Sequence, residues 1–160
     1  MSMDTQIRVR TDARHAQLYN DLRNFVVGEF HELFFVCACL GYQAGKASPI
    51  SKPGDRFWSS TIAPREWSTY YAMALEVADF DYQALSDDKK VVALVEQYAN
   101  AGMEVLLHEF LGEYLLPGSR ETPQLDVHGS SELPKHFLHF LYDHATVNDE
   151  IGHDETRPAG

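Results

Sequence analysis

The stretch "LFFVCACL" at residues 33–40 is the feature that most limits what this chain can fold into. It is apolar at every position, and a helix that is apolar nearly all round has to be surrounded by other parts of the protein. Gly45 follows at a position typical of a helix C-cap, with Lys46 beside the negative end of the helix dipole. We therefore predict a helix over residues 29–44 at the centre of a helical bundle.

Signals before this central helix indicate a strand and another helix. The run "QIRVR" at residues 6–10 alternates polar and β-branched residues, which is the period of a short half-buried strand. Thr11 and Asp12 then offer an N-cap for a helix over residues 13–23. Residues 46–61, after the central helix, are rich in Ser, Pro and Gly, and this composition predicts a loop.

Two further helices follow that loop. Pro64 stands at the first position of one, with Glu66 in its first turn. Ser86 and Asp87 cap the next, which begins at about Asp88. The predicted fold class is mainly α: a compact bundle of about four to five helices with a short N-terminal strand and a C-terminal tail that carries one amphipathic helix.

The segment "EQYANAGMEVLLHEF" at residues 96–110 has a helical pattern on both sides of Asn100, Ala101 and Gly102. Asn and Gly both tolerate a left-handed turn, and a glycine inside a helix costs about 1 kcal/mol relative to alanine. We therefore predict that this step either kinks one long helix or separates two helices, and we favour the separation. A glycine here would also allow another helix to approach closely.

A change of composition divides the chain into two parts. Residues 6–116 are predicted to form the helical domain, and residues 117–160 a flexible, acidic, turn-rich tail. Within the tail, a short amphipathic helix is predicted near residues 132–144. Such a helix is either a peptide that docks on a partner or a flap over its own domain, and its apolar residues are Phe137, Leu138, Phe140 and Leu141.

The net charge of −11 disfavours nonspecific coating of nucleic acid, which needs clustered Lys and Arg. The two cysteines, Cys37 and Cys39, point to nearly opposite sides of a helix and are expected to be buried, reduced thiols. The apolar region over residues 25–42 contains Glu29, His31 and Glu32, which disfavours a bilayer span. We expect a cytoplasmic protein that does not act at a membrane.

Catalytic patterns are weak. "HEFLG" at residues 108–112 begins like a zinc-protease motif but has Gly112 where the second histidine is needed. Residues His136, His139 and Asp143 are spaced to share one helix face, although surface histidines are the more common outcome. Helical Glu96, Glu104 and Glu109 could hold a general base, but such carboxylates are more often solvated. We expect a non-enzymatic protein without metal or cofactor.

A DNA-binding alternative uses the predicted strand. In a ribbon-helix-helix protein a short strand pairs with its dimer mate and its alternate side chains enter the major groove, which implies a homodimer here. Residues 7 and 9 would then face the core, and the DNA-facing residues would be Gln6, Arg8 and Arg10, with Arg14 extending the basic end. A polar strand edge with solvated arginines is favoured over this alternative because the chain is so acidic.

Two segments resemble the motifs of a known family. "FHELFFVCACLGYQAGKASPI" is similar to a helix pattern ending Leu-Gly-Tyr-x-x-Gly-x-x-x-Pro, and "EQYANAGMEVL" is similar to Glu-x-Tyr-Ala-Asn-Gly-Gly-Leu-Glu-Ile-Leu. Together with the "RVR" start they resemble the small proteins known as dnd system-associated protein 4, over residues 7–116. The matching positions are Gly41, Tyr42, Gly45, Tyr98, Asn100, Gly102 and Glu104.

That family is encoded beside bacterial DNA phosphorothioation and restriction genes, so the resemblance implies a role in defence against foreign DNA. It carries no catalytic residues to transfer. Ala101 departs from the pattern by replacing the first glycine of the pair, which implies helical geometry at Ala101 itself. The leading hypothesis is therefore an accessory subunit that binds a larger protein of a phage-defence or DNA-modification complex. The matching residues could face that partner or maintain the fold.

Overall fold

The computed structural model describes residues 6–129 and 131–156, with side chains described as far as residue 145. The prediction of a mainly helical fold is confirmed: 64% of the chain is helical. The described residues form two strands and five α-helices, and short 3-10 turns join several of them. The elements are β1 (Arg8–Asp12), α1 (Ala16–Phe25), α2 (Phe30–Gln43), β2 (Pro53–Trp58), α3 (Pro64–Val77), α4 (Asp88–Glu109) and α5 (Leu133–Thr156).

The predicted helix starts are largely confirmed. The Asp12 side chain accepts from the backbone N–H of Arg14 at the first turn, and the Asp87 side chain accepts from Lys89 N–H at the start of α4. Pro64 begins α3, where the Glu66 carboxylate accepts the backbone N–H of Ala63. These local hydrogen bonds satisfy donors that the first turn of a helix leaves unpaired.

The loop predicted over residues 46–61 is wrong in part, because β2 lies within it. β2 pairs antiparallel with β1, placing Val9 opposite Phe57 and Arg8 opposite Trp58, with a register shift between Val9 and Arg10. Pro53 occupies the first position of the strand, where the missing N–H is tolerated. The pairing depends on residues far apart in sequence, and the local composition does not indicate it.

The separation into two helices that we favoured at Asn100–Gly102 is also wrong. α4 is continuous over 22 residues, and it packs on α2 more extensively than any other pair of helices in the described chain. A Cβ at Gly102 would lie 1.6 Å from the carbonyl oxygen of Cys37, and one at Gly41 would lie 2.0 Å from that of Tyr98. The glycine therefore serves the close helix approach that the sequence also suggested, and tertiary packing outweighs its low helix propensity.

Around this crossing lies one buried cluster. Phe34 of α2 is its aromatic centre, in edge contact with Phe57 of β2 at 5.3 Å and with Tyr70 of α3 at 6.1 Å between ring centroids. His31 Nδ1 lies 2.8 Å from Glu66 Oε1, which ties the start of α2 to the start of α3. The central position predicted for α2 is consistent with its six buried residues.

The segment beyond residue 116 contributes to the same cluster. Leu125, Leu133 and Phe137 are 2%, 0% and 4% exposed, so their side chains pack on the helical domain. α5 extends further than the predicted residues 132–144, and residues 157–160 lie outside the described part of the chain. The domain boundary at residue 116 stays a prediction.

Within the described residues, no single helix combines the length and the apolar character needed to cross a bilayer. The bent pair formed by residues 13–25 and 30–43 meets those two criteria only when its members are counted together.

Candidate interaction surface

Four of the seven positions that match the two sequence motifs lie together at the α2–α4 contact. Gly41 and Gly102 form the backbone crossing itself, and the Tyr42 and Tyr98 rings meet edge to face at 5.3 Å beside it. Gly45 ends α2 with φ +66°, a left-handed conformation that suits glycine. These residues have roles in packing and chain reversal within the protein.

Asn100 holds the loop that follows α2. Its side-chain amide donates to the carbonyl oxygens of Ser48 and Pro49, each at 3.2 Å. The backbone N–H of Ser48 in turn donates to Gln97 O at 3.0 Å. The turn-former that suggested a helix break is thus a side-chain anchor on an unbroken helix.

Glu104 is the centre of a polar cluster that joins the two ends of the domain. Arg14 donates to its carboxylate, and His15 Nε2 lies 2.8 Å from Glu104 Oε1. Arg14 also donates from Nη2 to the backbone oxygen of Arg120 at 3.1 Å. The hydrogen bond with His15 and the positive charge of Arg14 lower the pKa of Glu104 despite its partial burial. His15 is only 2% exposed, and its role was not visible in the sequence.

A cleft of about 720 Å³ opens beside this cluster, lined in part by Arg14, Glu104, His108 and Arg120. Among the described residues that line the cleft, Glu104 is the only carboxylate, and it already binds Arg14 and His15. Of the glutamates expected to be solvated, Glu96 is also engaged, because it accepts the backbone N–H of Arg10 at 2.6 Å. Both carboxylates therefore connect α4 by hydrogen bonds to the N-terminal part of the chain.

Along the strand of the DNA-binding alternative, Val9 is buried and Gln6 and Arg10 are exposed, whereas Ile7 and Arg8 are both half-buried. The guanidinium groups of Arg8 and Arg10 lie 3.6 and 3.5 Å from the Asp55 carboxylate. Arg14 binds Glu104. β1 pairs with β2 of the same chain. The three arginines thus have intramolecular acidic partners, which reduces the positive field they could present to phosphates.

Most of the apolar residues predicted for docking on α5 face their own domain. Phe137 is buried, and the Phe140 ring stacks on Phe110 at 5.1 Å. Leu141 is half-buried against the core. Leu138 differs, with 70% exposure. Three of the four side chains therefore pack on their own domain, as expected of a flap, and Leu138 remains accessible.

The histidines considered for metal binding have other neighbours. His136 Nδ1 lies 2.6 Å from the Tyr114 hydroxyl, and His139 Nε2 lies 3.2 Å from Asp143 Oδ2. No group of three or more His, Cys, Asp or Glu side chains suited to a metal ion occurs among the described residues. His108 of the "HEFLG" segment is exposed at the surface of α4.

The thiols of Cys37 and Cys39 are free, with Cys37 buried and Cys39 half-buried. Burial raises the pKa of Cys37 to about 12 and that of Cys39 to about 11. Thiols with raised pKa values are poor nucleophiles at neutral pH.

An exposed aromatic turn, which the sequence did not single out, follows α3. We call residues 77–82 the aromatic turn. Val77, Phe80 and Tyr82 within it are 52%, 65% and 74% exposed. Asp79 and Phe80 both adopt positive φ, at 54° and 63°. Three large apolar side chains within six positions, on a backbone of defined and unfavourable conformation, make this the most prominent candidate interaction surface in the described chain.

Comparison with known proteins adds no relative: no family model, no curated protein and no solved structure matches the chain.

Proposed function

We propose that this chain is a non-enzymatic accessory subunit that binds a larger protein of a bacterial phage-defence system linked to DNA phosphorothioation. The observation that carries the binding role is the aromatic turn, where Phe80 and Tyr82 expose most of their surface. Monomeric proteins rarely expose grouped large apolar side chains, and such groups commonly mark protein interfaces. The defence context rests on the two sequence motifs.

The polar side chains considered for catalysis form hydrogen bonds within the protein, which agrees with a non-enzymatic role. Glu104, Arg14 and His15 bind one another, and Glu96 caps an N–H of β1. The motif residues at the α2–α4 crossing maintain the fold. The need to keep that crossing would be enough to explain why the motifs contain these residues. A protein of this kind presents a stable scaffold and acts through its surface.

Co-purification tests the proposal directly. The tagged chain is co-expressed with the proteins encoded by its neighbouring genes, and the affinity-purified material is passed over a size-exclusion column. We expect one larger protein to elute with the chain at fixed stoichiometry. A chain that elutes alone in every combination would refute an accessory role in that system.

A mobility-shift experiment separates this proposal from the DNA-binding regulator. Because Arg8 and Arg10 pair with Asp55, we expect no shift of duplex DNA at low salt. A shift that weakens steeply as salt rises, and that the R8A/R10A variant loses, would favour the regulator.

A further inference from the structure

The aromatic turn is held in shape by its own backbone. Phe80 N–H donates to Leu75 O at 2.8 Å, and Asp79 N–H donates to Glu76 O at 3.1 Å. On the far side, the Asp81 side chain accepts Gln83 N–H at 3.0 Å and caps the following 3-10 turn. The exposed rings therefore project from a segment whose path is fixed on both sides, which lowers the ordering cost of binding.

The conformation of Phe80 is unfavourable for its residue type. A left-handed backbone is tolerated by Gly, Asn and Asp, but for a bulky residue it is an outlier. Glycine or asparagine at position 80 would relieve this strain and still reverse the chain. Strained residues often mark functional positions, and here the strain accompanies a phenyl ring that is 65% exposed.

Negative charge surrounds these rings. Residues 76–88 include five acidic and no basic residues, and the first lysines follow at 89 and 90. Four of these acids have local hydrogen-bond partners. Glu76 bonds with Tyr42 and the Asp88 carboxylate accepts the Tyr71 hydroxyl. Asp81 and Asp87 each accept a backbone N–H two residues further along the chain. Asp79 and Asp81 are exposed and flank Phe80 directly. A complementary surface has to combine an apolar pocket with positive charge at its rim.

We propose that the aromatic turn docks into an apolar pocket bordered by Lys and Arg on the larger partner protein. The proposal rests on the accessory function above and adds the surface and the chemistry of its partner. Phe80 and Tyr82 supply the buried anchors, and Asp79 and Asp81 set orientation and association rate.

The first test compares F80S/Y82S with V127S in the co-purification experiment. V127S is the matched control, because Val127 is also an exposed apolar side chain, at 49%, and lies outside the aromatic turn and α5. Interface aromatics that act as anchors change affinity by about 30-fold or more when truncated. We expect F80S/Y82S to lose the partner by at least that factor and V127S to retain it. Equal retention of the partner by both variants would overturn the docking site.

The second test removes charge without changing shape. In D79N/D81N, asparagine keeps both the tolerance for positive φ at 79 and the capping side chain at 81. We expect association with the purified partner to slow several-fold at low salt, and the wild-type salt dependence to diminish. Unchanged association and salt dependence would contradict the basic rim.

The third test separates binding from folding. F80G removes the ring and relieves the left-handed strain, so we expect it to unfold no more easily than wild type yet to lose the partner. If F80G binds as wild type does, the ring is not an anchor. Sedimentation of the wild-type chain tests whether the aromatic turn binds a second copy of this chain. If the chain self-associates and F80S/Y82S abolishes that self-association, the turn forms a homomeric contact and the proposal is overturned.

The failures are distinguishable. If the wild-type chain retains no neighbouring protein, the accessory function itself is refuted and the docking proposal falls with it. If the wild-type chain retains a partner that F80S/Y82S also retains, only the docking proposal is refuted.

Discussion

Replacing Gly102 by alanine tests the helix crossing most sharply. The new methyl carbon would lie 1.6 Å from the Cys37 carbonyl oxygen, which belongs to the backbone and cannot rotate away. An ordinary contact requires the two helices to separate locally by about 2 Å. Because α2 and α4 form the centre of the buried cluster, this separation loosens contacts on both sides of the crossing.

The expected magnitude follows from opposing terms. Alanine favours the helix by about 1 kcal/mol over glycine. Overpacking a close-packed core costs about 1–3 kcal/mol, and a radial gap of about 0.5–1 Å forfeits a quarter to a half of each affected contact. Because the obstacle is backbone and not a side chain, we expect the overpacking cost to lie at or above the upper end of that range, which leaves a net loss of about 2 kcal/mol or more. This is a large part of the about 5–15 kcal/mol that stabilises a typical domain.

Urea unfolding followed by circular dichroism and tryptophan fluorescence measures this loss. Gly28→Ala is the matched control, since a Cβ there meets nothing within 4 Å, and it should change stability by less than about 0.5 kcal/mol. Gly41→Ala should resemble Gly102→Ala, and the double variant should cost less than their sum because one separation relieves both clashes. A Gly102→Ala protein within about 1 kcal/mol of wild type would refute the close crossing.

Three further predictions concern side chains described above. Asn100→Asp should destabilise more than Asn100→Ala in urea unfolding, since a carboxylate cannot donate to the two carbonyl oxygens that the Asn100 amide binds; the reverse order would contradict the anchor. Glu104→Gln should cost about 1 kcal/mol at neutral pH. Because the folded-state pKa of Glu104 is lowered, the stability difference from wild type should be complete above the ordinary carboxyl pKa and should disappear as pH falls through the lowered value. A difference that does not shrink as pH falls below the ordinary carboxyl pKa would be inconsistent with this. Cys37 and Cys39, with pKa values raised to about 12 and 11, should resist iodoacetamide at pH 8 in the folded protein and react on unfolding, and rapid labelling of native Cys37 would contradict its burial.

Local signals in the sequence indicated the helices well. Pro64, Asp87 and Gly45 each fix a backbone conformation or satisfy a backbone donor at a helix end, so their meaning does not depend on distant residues. The all-apolar pattern of residues 33–40 likewise specified a central helix. These features act within a few residues, and they can therefore be interpreted without the fold.

Long-range features were missed for a common physical reason. β2 is stabilised by pairing with β1, more than 40 residues earlier in the chain, and its Pro and Gly content indicates a loop when considered alone. The continuity of α4 through Gly102 depends on α2 lying against it. In both cases a contact between distant segments outweighs the local preference.

The candidate surface was harder to predict than the fold. In the sequence around residues 79–85, nothing local distinguished an exposed Phe80 from a buried one. The positive φ values of Asp79 and Phe80 appear only in three dimensions. Conversely, the spacing of the predicted docking residues Phe137 and Phe140 places them on one helix face. This spacing is the same whether that face packs on a partner or on their own domain, so it does not distinguish the two.

The interlocked backbones at Gly41 and Gly102 limit how the protein can transmit a signal. Sliding α4 along α2 by one turn would bring Tyr98 or Leu106, which share the helix face of Gly102, to a position where only a hydrogen atom fits. A shear motion between these helices is therefore blocked. A partner that binds at one end of the α2–α4 pair would therefore affect the other end through rigid rotation of the two helices together. Any conformational switching would have to occur in the elements attached to this pair.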